Sequence, residues 1–129
     1  MVSLFERIDP RSPTPLYAQI AARVSVAIAA GELQPGEALP SVRHLATQLR
    51  VNPATVVQAY RDLEADGFVE IRHGAGTFVR ELGPGRRARE RARQATALVR
   101  ALLADARRLG VPLAELQEAI QEEIGVYSP

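Results

Sequence analysis

The chain has 129 residues, of which 47% are hydrophobic and 24% are charged, and this average globular composition excludes a disordered or fibrous protein. It contains no cysteine, so disulfides, thiolate metal sites and cysteine nucleophiles are excluded as well. All sixteen of the Lys and Arg residues are arginine, but the formal net charge is only +1. The overall charge therefore does not by itself predict a nucleic-acid partner.

The N-terminal sequence does not resemble a secretion signal. Glu6, Arg7 and Asp9 place charges where a signal peptide would need a basic start and an apolar core. The longest apolar stretch, residues 16–30, is interrupted by Gln19 and Arg23 and is too short to span a bilayer. We therefore expect a cytoplasmic protein.

An irregular arm, broken by Pro10 and Pro13, precedes the first predicted helix. Thr14 is the expected N-cap of that helix, Pro15 its first residue and Gly31 its C-terminal stop. Between them, apolar residues recur at helical spacing and define one inner face: Leu16, Ile20, Val24, Ala27 and Ile28.

Two short helices are predicted next. Ser41 caps the first of them, and Asn52 caps the second, which Pro53 opens and Gly67 ends. Their inner faces are formed by Val42, Leu45, Ala46 and Leu49, and by Val56, Ala59, Tyr60 and Leu63. Two short helices joined by a three- or four-residue turn form a helix-turn-helix unit.

A small β-hairpin follows this unit. Residues 68–72 and 77–80 are rich in strand-forming types and flank the sequence His73-Gly74-Ala75-Gly76. Glycine supplies the backbone freedom that a tight reversal requires. A hairpin placed directly after a helix-turn-helix is a wing.

The composition changes at Gly83-Pro84-Gly85, which divides the chain into a winged helix-turn-helix at 1–82 and a helical region at 83–129. A long helix is predicted over 86–109 and a last helix from Leu113 to about Ile124, with Leu113, Leu116, Ile120 and Ile124 facing inward. Two helices alone bury too little surface, so they must pack on the first module, on a second chain, or on both. The predicted dimerisation residues are Ala95, Leu98, Val99, Leu102, Leu103, Ala106, Leu116 and Ile120.

The predicted fold is therefore mainly α with a small β-hairpin wing, and its candidate site lies on the outward face of the third helix and on the wing. The first residues of such a helix can enter a major groove. There Gln58 can pair with adenine and Val57 can touch a thymine methyl, while Arg61 is better placed for a phosphate. The candidate DNA-contacting residues are Arg43, Asn52, Ala54, Thr55, Val57, Gln58, Arg61, Arg72, His73 and Gly74.

The same residues also fit ordinary solvent-facing positions, and two alternatives stay open. Residues 1–80 hold eight Arg and eight acidic residues, which favours a winged helix that binds protein and not DNA. The arginine-rich run at 86–93 either adds long-range attraction to phosphates or forms a solvated first turn of the long helix.

An enzyme is not expected. His44 and His73 are the only histidines, and no nucleophile signature or phosphate-binding glycine loop accompanies them. Two distant histidines are too few for a metal site, so we expect neither a metal nor another cofactor.

The residues at the predicted turn, third helix and wing closely resemble the DNA-binding domain of GntR-family regulators. The resemblance runs from about Leu16 to Val79 and rests on Leu39-Pro40-Ser41, Arg43, Leu45-Ala46, Val51-Asn52-Pro53, Thr55-Val56, Ala59-Tyr60, Leu63, Gly67, Gly74 and Gly76-Thr77-Phe78-Val79. Further features resemble the YtrA-type subfamily: Ile8-Asp9-Pro10, Pro15-Leu16-Tyr17, the Asn52-Pro53 pair and the short C-terminal part.

The resemblance implies a repressor that dimerises through its C-terminal helices on a palindromic operator, often beside genes for membrane transporters. It places Arg43, Thr55, His73 and Gly74 at the family's DNA-contact positions. It implies no large effector domain, and a small-molecule effector in a dimer cleft stays an open partner.

Three departures from the family pattern concern the helix-turn-helix. Many relatives have arginine where Pro53 and Val57 stand, which alters the expected base contacts. Arg50 replaces the usual turn glycine, so a left-handed backbone at this position would be strained. His44 stands where a glutamate would complete a capping box.

Overall fold

The computed structural model describes residues 4–127 and contains five helices and one two-stranded antiparallel sheet in that range. The elements follow in the order α1 (Leu16–Ala30), α2 (Val42–Leu49), α3 (Pro53–Ala65), β1 (Val69–Arg72), β2 (Gly76–Val79), α4 (Pro84–Leu109) and α5 (Leu113–Tyr127). The predicted mainly helical fold with a hairpin wing is confirmed. The chain divides into two compact units, the first ending at Arg91 and the second beginning at Ala92.

Helix α1 begins one residue later than predicted. Pro15 occupies the N-cap position, so the predicted capping by Thr14 is wrong. The Gln19 side-chain amide donates instead to the carbonyl oxygens of Asp9 and Thr14, both at 2.8 Å, and so fastens the N-terminal arm to the helix. Gly31 ends α1 in the left-handed conformation, as predicted.

The two predicted caps of the helix-turn-helix are both confirmed. Ser41 Oγ accepts a hydrogen bond from the His44 N–H at 3.1 Å, and Asn52 Oδ1 accepts one from the Ala54 N–H at 2.9 Å. Between the helices, Arg50 adopts the left-handed conformation at φ 57° and ψ 45°. It is the one non-glycine residue between positions 4 and 127 with a positive φ.

The core of the first unit lies between α1, α2, α3 and the hairpin. All four predicted inner residues of α3 are buried, and they pack in one cluster with Ile20, Val24, Ile28, Leu45, Phe68, Val69 and Val79. The Tyr60 hydroxyl donates to the Pro40 carbonyl oxygen at 2.7 Å, which links α3 to the segment before α2. Burial raises the pKa of the Tyr60 phenol, so this donor stays protonated throughout the neutral range.

The hairpin pairs Val69 with Val79 and Arg72 with Gly76, which leaves residues 73–75 at its tip. Phe68 and Arg80 lie just outside the strands, although the Arg80 N–H still donates to the Phe68 carbonyl oxygen at 2.9 Å. The connector between α1 and α2, residues 31–41, supports the other edge of β2, because the Leu39 N–H donates to the Thr77 carbonyl oxygen at 2.8 Å. Strand β2 is therefore hydrogen-bonded along both of its edges.

The first turn of α4 is fastened to the end of α3 by Arg86. The Arg86 guanidinium lies 4.7 Å from the centroid of the Phe68 ring, donates to the Asp66 carbonyl oxygen and pairs with Glu90 at 3.9 Å. Arg86 is half-buried, so this member of the arginine-rich run is a structural contact and not a solvated charge.

The second unit leaves most of its predicted apolar stripe uncovered. Ala106 is buried and Leu116 and Ile120 are half-buried, whereas the five predicted residues from Ala95 to Leu103 are exposed. Leu113 and Ile124, predicted to face inward, are 60% and 53% exposed, so this part of the prediction is wrong. The predicted domain division between residues 82 and 83 stays a prediction.

Replacing Arg50 with glycine is expected to raise the free energy of unfolding by about 1 kcal/mol. A β-carbon in the left-handed conformation is strained by about 1–2 kcal/mol, and part of that gain is lost to the greater entropy of glycine in the unfolded chain. Chemical denaturation measures the change. Arg50→Ala keeps the β-carbon and is the matched control; equal stabilisation by both variants would contradict strain as the cause.

Candidate nucleic-acid interface

The outward face of α3 is accessible along its length. Ala54, Gln58 and Arg61 are exposed, and Thr55 and Val57 are half-buried on either side of them. Helical spacing places Val57 and Arg61 on the flank towards the hairpin, and Thr55 on the other flank. The described part of the first unit leaves this face uncovered, as a helix that inserts into a groove requires.

A groove of about 380 Å³ lies between α3, the first turn of α2 and the hairpin. It brings together three of the predicted site residues, Val57, Arg61 and His73. The other residues that line the groove were not among the site residues predicted from the sequence: Val42, Tyr60, Glu64, Ile71 and Thr77.

A spacing signal could have found Glu64, since Val57, Arg61 and Glu64 follow at i, i+4 and i+7 on one helical face. Ile71 and Thr77 face each other across the hairpin. Their place in the groove depends on how the hairpin packs on α3, which no local pattern encodes.

Glu64 fastens the wing to α3. Its Oε2 atom accepts a hydrogen bond from the Ile71 N–H at 2.7 Å. Hydrogen bonds to an ionised acceptor are about twice as strong as neutral ones. The carboxylate therefore fixes the hairpin relative to the outward face of α3.

The Arg72 side chain lies along the hairpin and does not extend away from it. Its guanidinium is 4.6 Å from the centroid of the Phe78 ring, and its Nε atom is 3.4 Å from Glu70 Oε1. Gly74 has φ 75°, and the space where its β-carbon would lie is open. The wing thus combines an open tip, at His73 and Gly74, with an arginine already partnered beside it.

Arg43 and Asn52 lie at the N-termini of the two helices. Arg43 is exposed, next to Val42 of the groove. The Asn52 side-chain oxygen is engaged in capping α3, and a DNA contact by this residue stays a prediction. Around the interface, Arg43, Arg61 and Arg72 are matched in number by Asp62, Glu64 and Glu70, so these six side chains carry no net charge.

Residues 4–127 lack two other features. Within that range, no three His, Asp or Glu side chains are grouped closely enough to hold a metal ion. In the same range, no helix has the length and apolar character needed to cross a membrane.

Residues 16–79, from α1 to the end of β2, match the model of bacterial regulatory proteins of the gntR family. The HTH-type transcriptional repressor YtrA from Bacillus subtilis is 39% identical over 116 residues, which cover 90% of this chain and 89% of that protein. The chain belongs to the GntR family. It is thus related to DNA-binding transcription regulators, and the match to YtrA extends beyond the winged helix-turn-helix.

Two solved structures illustrate the likeness of fold. A GntR family transcriptional regulator from Listeria monocytogenes has a TM-score of 0.68 and 29% identity, and the match covers 88% of this chain and 97% of that one. The DNA-binding domain of AraR, solved in complex with operator ORX1, has a TM-score of 0.50 and 33% identity over 55% of this chain and 88% of that one.

Substituting Glu64 with alanine is expected to accelerate hydrogen exchange at the Ile71 amide by roughly tenfold or more, because that N–H loses a charged acceptor. Hydrogen exchange resolved at single residues measures it. Glu64→Gln keeps a side-chain oxygen that can accept the bond and should show a smaller effect. Exchange at Ile71 in Glu64→Ala as slow as in the unmodified chain would mean that Glu64 does not hold the wing.

Proposed function

We propose that this GntR-family protein is a transcriptional repressor that binds a roughly palindromic operator as a homodimer. The observation that carries the proposal is the outward face of α3, which is accessible and flanked by an anchored wing. The similarity to the YtrA repressor over most of both chains supports it.

In this proposal α3 inserts into the major groove with its N-terminal residues towards the base edges. Gln58 pairs with an adenine, Val57 contacts a thymine methyl, and Thr55 and Arg61 bind base edge or phosphate. Arg43 binds the backbone from α2, and the wing tip at His73 and Gly74 reaches an adjacent minor groove or its phosphates. Phosphate contacts fix the register of the protein, and the base contacts supply sequence specificity.

The apolar face of the second unit supports dimerisation. Leu98 is 71% exposed, Val99 54%, Leu102 41% and Leu103 40%, and all four recur on one side of α4. Exposed apolar residues that share one face mark an interaction site. In a dimer joined through this face, the two copies of α3 would lie about one DNA turn apart, roughly 34 Å.

The matched charges around the site favour a second candidate function, a winged helix that binds another protein. The two candidates differ in one measurable property. Neutralising DNA phosphates releases counterions, so DNA binding must weaken steeply as salt rises.

The chain is expected to bind duplex DNA from upstream of its own gene. If the dimer neutralises about 6–10 phosphates, its affinity for that DNA should fall by about 10³–10⁵-fold between 50 and 200 mM salt.

Arg43→Ala should weaken DNA binding by roughly tenfold and flatten its salt dependence, because a phosphate contact is lost. Fluorescence polarisation measures both.

Arg80→Ala is the matched control for Arg43→Ala. It removes an equal exposed charge at the end of the hairpin away from the tip and should leave affinity nearly unchanged. Equal losses in the two variants would remove Arg43 from the interface. No binding of the unmodified chain to any duplex would favour the protein-binding candidate.

The double variant Leu98→Asp with Leu102→Asp is expected to dissociate the dimer and to lower DNA affinity by at least tenfold, because two half-sites no longer bind together. Analytical ultracentrifugation gives the oligomeric state. Ala97→Asp with Ala104→Asp adds the same charge to the opposite side of α4 and should leave the dimer intact. A dimer that persists in the leucine variant would refute this interface.

A further inference from the structure

Gln58 is held by a carboxylate of its own helix. Asp62 follows Gln58 by one turn of α3, and the Gln58 Nε2 atom donates to Asp62 Oδ1 at 2.8 Å. An ionised carboxylate only accepts hydrogen bonds, so the nitrogen of the Gln58 amide, and not its oxygen, must face Asp62. The contact therefore fixes which way the amide is turned.

This orientation leaves the groups that adenine recognition uses. A glutamine amide pairs with adenine through one N–H directed at N7 and a carbonyl oxygen that accepts from the N6 amino group. The Gln58 nitrogen carries two hydrogens, and Asp62 engages one of them. Adenine pairing needs the oxygen and the N–H on the same side of the amide as that oxygen, so it requires Asp62 to engage the other N–H.

We propose that Asp62 is a positioning residue that holds the Gln58 amide in the orientation needed to read adenine. The proposal rests on the proposed function, since it requires that α3 lies in the major groove. Asp62 would then contribute to sequence specificity without touching DNA.

The charge of Asp62 argues against a role in general DNA affinity. It lies in the last turn of α3, where its unfavourable interaction with the helix dipole offsets the stabilisation that an i,i+4 hydrogen bond from Gln58 gives the helix. It is also a negative charge one turn from a residue expected at the base edges, where it repels phosphates. Its removal should therefore strengthen binding to unrelated DNA while it weakens the discrimination between sequences.

The experiment first selects preferred sites for the unmodified full-length chain from a random duplex library. Gln58→Ala then identifies the A·T pair at which preference is lost. For Asp62→Ala, the ratio of dissociation constants between the matched site and a site changed at that pair should fall by about threefold to tenfold, which is a part of the roughly 5- to 150-fold discrimination that one bidentate contact supplies. The dissociation constant for unrelated duplex should improve under the same conditions.

Two controls separate orientation from charge. Asp62→Asn removes the same charge but keeps an oxygen that can accept from Gln58, so it should retain more discrimination than Asp62→Ala. Asp66→Ala removes an exposed charge one turn further along and should leave discrimination unchanged.

The outcomes also separate this proposal from the proposed function. If the unmodified chain selects a site but Asp62→Ala changes matched and mismatched affinities by one common factor, Asp62 does not position Gln58. If Gln58→Ala alters no base preference, the inference fails while operator binding stands. If the unmodified chain selects no sequence at all, the proposed function fails with it.

Discussion

The burial of one stripe of α3 is the constraint on which the interface depends. Val56, Ala59 and Leu63 pack into the core with α1, and the Tyr60 hydroxyl fixes the rotation of the helix through its bond to Pro40. A helix that buries one stripe must present the opposite one to solvent. The accessible face is thus a consequence of core packing, and its chemistry is set by residues that the core does not use.

Carboxylates recur around a surface that is expected to bind an anion. Asp62 accepts from Gln58, Glu64 accepts from the Ile71 amide, and Glu70 pairs with Arg72. Each opposes phosphate binding by its charge, yet each holds a donor or an element of the interface in place. Preorganised groups lose less entropy on binding, so the order that these carboxylates impose offsets part of the affinity that their charge costs.

The two units present different surfaces. In the first, the arm, the connector and Arg86 close the periphery of a single core, and Arg86 fastens the start of α4 to the end of α3. In the second, the apolar face of α4 stays exposed in the single chain. An exposed apolar face of this kind marks an interaction site. In the proposed dimer, the same face of a second copy covers it.

Local chemistry in the sequence determined the caps at Ser41 and Asn52, the left-handed stop at Gly31, the buried stripe of α3 and the hairpin, because each depends on residues within one or two turns. The predicted cap at Thr14 was wrong, because the Gln19 side chain binds the carbonyl oxygens of Thr14 and of Asp9, ten residues before it in the chain.

Only tertiary structure decided that Glu64 anchors the wing, that Ile71 and Thr77 line the groove and that Arg86 stacks on Phe68. Such contacts join residues that chain reversal brings together, and no periodicity along the sequence records them.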